Sequence, residues 1–94
     1  MMDEYQIIFT EKAERDLDGI VDYLSRTVSS RVKTDFLALL SDKLANLSRM
    51  PFMYRASASK PGVRECVVNP QTILYHRVVE NRVELLAIQS SRRG

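Results

Sequence analysis

The chain reads as an α+β fold: an N-terminal strand, an αα-hairpin, then a three-stranded antiparallel meander, with both helices packed on one sheet face. Three observations predict it. The β-branched and aromatic run Tyr5-Gln6-Ile7-Ile8-Phe9 opens the chain, and two long stretches with apolar residues spaced at three and four follow. The last third alternates short runs rich in Val, Ile, Leu and Tyr with turn residues.

The opening strand stops at Thr10, a favourable helix N-cap, and Ala13, Leu17, Ile20, Val21, Leu24 and Val28 then form one helical stripe. Glu11 and Glu14 suit the positive end of a helix predicted from about Glu11 to Arg26. After the capping pair Ser29-Ser30, the residues Val32, Phe36, Leu40, Leu44 and Leu47 repeat the pattern until Pro51 forbids continuation. Phe52 to Gly62 lacks periodicity and contains Pro61-Gly62, so it reads as an ordered loop returning to the sheet. Strands are expected over Val63 to Val68, Thr72 to Val79 and Arg82 to Gln89. Their separators, Asn69-Pro70-Gln71 and Glu80-Asn81, are turn-prone, which predicts two consecutive hairpins. With the helices on one face, the other face is left open as the natural binding surface. The pairing of the first strand is not determined at this level.

At 94 residues there is room for one core, so residues 1–94 are expected to form a single domain. A composition of 45% hydrophobic and 28% charged residues is that of an ordinary globular chain. The single Cys66 has no internal disulfide partner, and Met-Met-Asp-Glu-Tyr lacks the basic flank and apolar stretch of a secretory signal. Both predict a cytoplasmic protein. Apolar runs such as Leu37-Ala38-Leu39-Leu40 are far short of the roughly 20 residues of a membrane span, so no membrane association is expected. The net charge of +2 conceals an asymmetry: residues 1–50 hold nine acidic and seven basic side chains, residues 51–94 three acidic and seven basic. That polarity favours a basic face toward an anionic or acidic partner.

With one His and one Cys, no metal cluster of sensible ligand spacing can be built, and any Cys-His or Ser-His-Asp site would need His76. His76 lies mid-strand between Tyr75 and Arg77 and reads as a surface or hydrogen-bonded histidine; Cys66 reads as a small core residue. The three glycines, Gly19, Gly62 and Gly94, are isolated, which excludes a phosphate-cradling loop, and no cofactor is expected. What remains is a cationic set on the sheet and its edges: Lys60, Arg64, Arg77, Arg82, Arg92 and Arg93, with Tyr75 among them. Arg and Tyr together can grip phosphates and stack on bases, although Arg on strands also serves as solvated cover.

The segment Phe9-Thr10-x-x-Ala13-x-x-Asp16-Leu17-x-x-Ile20-x-x-Tyr23-Leu24 resembles the opening helix of RelE/ParE-superfamily toxins. The similarity continues through Leu47-x-x-x-Pro51, Gly62-Val63-Arg64-Glu65, Ile73-Leu74-Tyr75-His76-Arg77-Val78 and Val83-Glu84-Leu85-Leu86-Ala87-Ile88, spanning nearly the whole chain. Each piece is degenerate; their order and spacing carry the resemblance.

The resemblance implies the toxin of a bacterial type II toxin–antitoxin system, with the associated role in plasmid stabilization, held inactive by a cognate antitoxin encoded by a neighbouring gene. RelE-like members are ribosome-dependent endonucleases that cut mRNA; ParE-like members inhibit DNA gyrase and so arrest growth. Metal-independent RNA cleavage needs a base for the 2′-OH, a cation on the phosphate and an acid for the leaving oxygen. On the RelE-like alternative Lys60, Arg64 and Arg92 would match the basic positions. No Tyr or His follows Arg93, however, and the ParE-like reading is preferred, without catalytic residues. It places target contacts at Arg64, Tyr75, Arg77, Arg92 and Arg93, and antitoxin contacts at Leu24, Phe36, Leu40, Arg64 and Arg92. A small basic RNA- or protein-binding domain that is not a toxin is the remaining alternative.

Overall fold

The computed structural model describes residues 4–91, so Arg92 and Arg93 lie outside the described residues. The elements are β1 (Gln6–Phe9), α1 (Glu11–Thr27), α2 (Ser30–Arg49), a 3-10 turn (Pro51–Met53), β2 (Arg55–Ala56), β3 (Arg64–Asn69), β4 (Thr72–Val79) and β5 (Arg82–Ser90).

Both helices begin where cap chemistry directs. The Thr10 hydroxyl accepts the Ala13 N–H at 3.1 Å, and the Ser29 hydroxyl accepts the Val32 N–H at 3.3 Å, each satisfying an orphan donor of the first turn. α2 ends at Arg49 because Pro51 has no N–H to continue the ladder.

The sheet is larger than the expected meander. It has five strands in the order β1-β5-β4-β3-β2, and β1 runs parallel to β5, with Ile7 opposite Val83 and Phe9 opposite Leu85. The loop expected over Phe52 to Gly62 also contributes, since Arg55 and Ala56 pair antiparallel with Glu65 and Arg64. Two residues carry too little periodicity to read as a strand; only the neighbouring β3 makes them one. The hairpin turns fall where expected, Glu80 taking a left-handed conformation at φ 56°.

Between Tyr75 and His76 the β4–β5 register slips, so that Tyr75 faces Ala87 while His76 faces Leu85, and Leu86 has no opposite residue. This bulge changes the phase of β5. Val83, Leu85 and Ile88 all reach the core, which strict alternation would forbid. The helices cover one sheet face, burying Ala13, Leu24, Phe36, Leu40 and Leu47 against Cys66, Val68, Leu74, Val83, Leu85 and Ile88.

Candidate functional site

Pairing parity assigns each candidate residue to a face. Glu65, Tyr75 and Ala87 lie abreast on the open face, as do Arg77 and Glu84. The arginines there are paired with carboxylates, two of them sharing Glu84. Arg77 Nε donates to Glu84 Oε1 at 2.8 Å and Arg82 Nε donates to Glu84 Oε2 at 3.3 Å. The Arg77 hydrogen bond above all holds the Glu84 carboxyl below the ordinary carboxylate range. Arg55 forms a 2.9 Å pair with Glu65 one strand further out. Lys60 reaches in from the β2–β3 connection, its Nζ 5.2 Å from the centre of the Tyr75 ring, and the Tyr75 hydroxyl donates to Gln89 Oε1 at 2.8 Å.

Arg64 is on the other side. It lies opposite His76, on the helix-covered face, and its Nη1 donates to the Tyr54 carbonyl at 2.7 Å and reaches the Phe52 carbonyl at 3.5 Å. The expected target set is therefore divided: Tyr75 and Arg77, with Lys60, share the open face, whereas Arg64 fastens the turn after α2.

His76 is fully buried, correcting the expectation of a surface histidine while keeping that of a hydrogen-bonded one. Its Nε2 lies 3.4 Å from the Pro51 carbonyl, its ring meets Tyr54 edge to face, and Nδ1 and the Tyr54 hydroxyl are buried without hydrogen-bond partners. Burial pushes its pKa below 6.5, keeping the imidazole neutral, and Arg64 nearby acts in the same direction against the Pro51 hydrogen bond. Cys66 is a core residue whose thiol pKa burial pushes up. Among the described residues no group of His, Cys, Asp and Glu is placed to hold a metal ion, and no helix is long and apolar enough to cross a membrane.

A groove of about 800 Å³ lies between the helices and the outer edge of β5. β1 pairs with β5 only as far as Leu85, and α1 then crosses the remaining edge. Side chains of α1 and its cap replace the absent strand: Thr10 Oγ1 donates to the Leu85 carbonyl at 2.8 Å, and Asp16 Oδ2 accepts the Ile88 N–H at 2.9 Å. Ile20, Tyr23, Val32 and Leu39 give the groove its apolar lining, and Lys12, Arg15, Arg26 and Lys60 stand on its rim, the first three paired with Asp16, Glu11 and Asp22. Leu24, Phe36 and Leu40, expected as antitoxin contacts, are only 2%, 9% and 4% exposed. Their side chains pack inside the domain. Leu24 and Phe36 border the groove floor and Leu40 does not reach it, so the partly exposed neighbours present the apolar surface.

The sequence profile described as "ParE toxin of type II toxin-antitoxin system, parDE" matches residues 7–94. The chain belongs to this ParE toxin family. No curated protein matches it in sequence. Among solved structures, this ParE-family chain is similar to one from the chromosomal ParDE toxin–antitoxin system of P. aeruginosa, at 19% identity and TM-score 0.77, covering 92% of this chain and 95% of that one. It is also similar to a chain of the RelBE2 toxin–antitoxin complex of Mycobacterium tuberculosis, at 20% identity and TM-score 0.64, covering 93% and 98%. A chain of the E. coli DinJ–YafQ complex aligns at 14% identity and TM-score 0.57, covering 92% of each. These likenesses establish two helices on a five-stranded mixed sheet as the shared fold. The ParE-family fold thus agrees with the architecture expected from sequence, enlarged by β2 and with the expected first strand now paired parallel to β5.

Proposed function

We propose that this ParE-family toxin acts in the cytoplasm by binding and inhibiting DNA gyrase rather than by cutting mRNA, and that a cognate antitoxin neutralises it. The observation that carries this reading is the divergence of Lys60 and Arg64. A ribonuclease needs its cations and proton-transfer groups converging on one phosphate. Lys60 lies over the Tyr75 ring on the open face, whereas Arg64 is turned to main-chain carbonyls on the opposite face. The one histidine is walled into the core, neutral and away from solvent. Binding, by contrast, needs only surface.

The antitoxin seat is the groove between the helices and β5. The cations on its rim and its lining of Ile20, Tyr23, Val32 and Leu39 suit an amphipathic, partly acidic segment. Of the residues expected to meet the target, Arg77 lies on the open face outside the groove, Tyr75 also lines the groove, and Arg64 stands at the turn after α2.

Induced expression in bacteria with separate readouts of DNA supercoiling and mRNA integrity tests the proposal. Relaxed plasmid DNA with intact mRNA is expected, as is inhibition of gyrase supercoiling by the purified protein. Site-specific mRNA cleavage in a translating extract that disappears in Lys60→Ala or Arg64→Ala, with gyrase untouched, would install the ribosome-dependent endonuclease instead.

A further inference from the structure

Among the described residues the three most exposed large apolar side chains are Met50, Phe52 and Met53, at 52%, 56% and 56% exposure. They surround a single buried residue, Pro51, which roots the turn between α2 and β2. That turn is fastened carbonyl by carbonyl. The Met53 N–H donates to the Met50 carbonyl at 3.2 Å, His76 reaches the Pro51 carbonyl, and Arg64 holds those of Phe52 and Tyr54. Phe52 itself is braced by the Tyr5 ring, edge-on at 6.3 Å, and by the Arg64 guanidinium 5.2 Å from its centre. An apolar knob is thus held out of the domain in one conformation, so little ordering entropy opposes its docking.

Among the described residues the knob's adjoining cations Arg49 and Arg64 bond to neutral partners, Asn46 and main-chain carbonyls, whereas Arg55 is paired with Glu65. From Lys43 to Arg64 there are five basic residues (Lys43, Arg49, Arg55, Lys60 and Arg64) and no Asp or Glu. Phe, Met and Arg are the side chains enriched at the centres of protein interfaces, and Met adapts its shape to a partner.

We propose that this knob is the surface with which the toxin engages its target protein, inserting Phe52 and Met53 into an apolar pocket rimmed by carboxylates. The proposal rests on the reading of the chain as a toxin that acts by binding a protein. Nucleic acid fits less well. Two of the three apolar groups have no ring for a base to stack on, and Arg64 turns N–H groups to main-chain carbonyls rather than to a phosphate. The antitoxin is placed elsewhere, because none of Met50, Phe52, Met53 and Arg64 lines the groove.

The test uses the full chain carrying Phe52→Ser with Met53→Ser, and separately Phe52→Leu. Both sites are exposed, so circular dichroism and melting temperature should stay near wild type. The double variant is expected to lose growth arrest and to bind purified gyrase roughly tenfold or more weakly, as when an interface hot spot is truncated, with antitoxin affinity within about twofold. Phe52→Leu should retain most of the activity, and wild-type gyrase affinity should fall with added salt. Undiminished growth arrest by a folded double variant would overturn the proposal. So would a parallel loss of antitoxin affinity, which would give the knob to the antitoxin, or a loss confined to mRNA cleavage, which would give it to RNA. If wild type arrests growth without touching gyrase and the double variant does not arrest it, the knob stands and the gyrase assignment falls. A soluble wild-type chain that neither slows growth nor binds gyrase would overturn both.

Discussion

His76 and Asp16 are polar residues whose neighbours differ in what they provide. His76 is enclosed by Pro51, Tyr54 and Arg64 and remains neutral because burial disfavours the imidazolium. Its folded pKa lies below the ordinary 6.5, so the unfolded chain binds more protons in that interval. Its neutral burial therefore costs no stability above about pH 6.5, and stability declines as pH falls from there toward the lowered folded value. Urea midpoints between pH 7.5 and 5 should fall for wild type and fall less steeply for His76→Gln. Asp16 instead completes the edge of β5. Asp16→Ala leaves the Ile88 N–H without its acceptor and should cost about 1–2 kcal/mol, less where water reaches the amide. Asp16→Asn keeps an acceptor oxygen, so equal losses for the two variants in chemical denaturation would disprove the edge-capping role.

At the scale of elements, the junction of β1 with α1 does two jobs through one residue. Thr10 caps α1 by accepting the Ala13 N–H and ties it to β5 by donating to the Leu85 carbonyl. Thr10→Ala should cost about 1–2 kcal/mol, and Thr10→Ser, which retains the hydroxyl, far less. Hydrogen exchange should show the loss concentrated in β1 and the first turn of α1. The bulge at Leu86 is the second element-scale device, because it lets Leu85 and Ile88 face the helices while Ala87 and Gln89 stay beside Tyr75. The sheet edges are short, four residues in β1 and two in β2, which limits edge-to-edge association.

Across the whole molecule, charge and core are arranged separately. The open face has its arginines paired with Glu84 and Glu65, so single substitutions at Arg77 or Arg55 should change melting temperature little. At the groove rim Lys12, Arg15 and Arg26, each in an i,i+4 pair with a carboxylate, stand with Lys60 beside apolar surface. Changing Lys12 and Arg26 to Glu should weaken antitoxin binding and flatten its salt dependence, measured by titration at two ionic strengths, while leaving the fold intact. Leu74 and Leu85, both fully buried, set the opposite limit. Leu85→Ala should remove about 2–5 kcal/mol, a large fraction of what a domain of this size has, and should lower soluble yield before any effect on function can be read.

The sequence by itself determined the elements that rest on local chemistry. Thr10 and Ser29 start the helices, Pro51 ends the second, and β4 falls on Thr72–Val79 as its composition requires. Periodicity also identified the helix stripes, including Leu24, Phe36 and Leu40, but a stripe does not say whether it meets the sheet or a partner. Only tertiary structure decided that these three belong to the core, and that β1 lies parallel beside β5. It also recruited Arg55 and Ala56 into the sheet and reversed the facing of half of β5 through the bulge at Leu86. The candidate site divides along the same line. Lys60, Arg64, Tyr75 and Arg77 are legible as a basic and aromatic set, yet their separation onto two faces follows from strand pairing over long sequence distances. Phe52 and Met53 carry no helical or strand period, and their prominence arises because Arg64 and His76, distant in sequence, hold the turn beneath them. Local propensities act over a few residues, whereas register, facing and exposure are settled by which apolar surfaces must be buried together, and that is a property of the assembled domain.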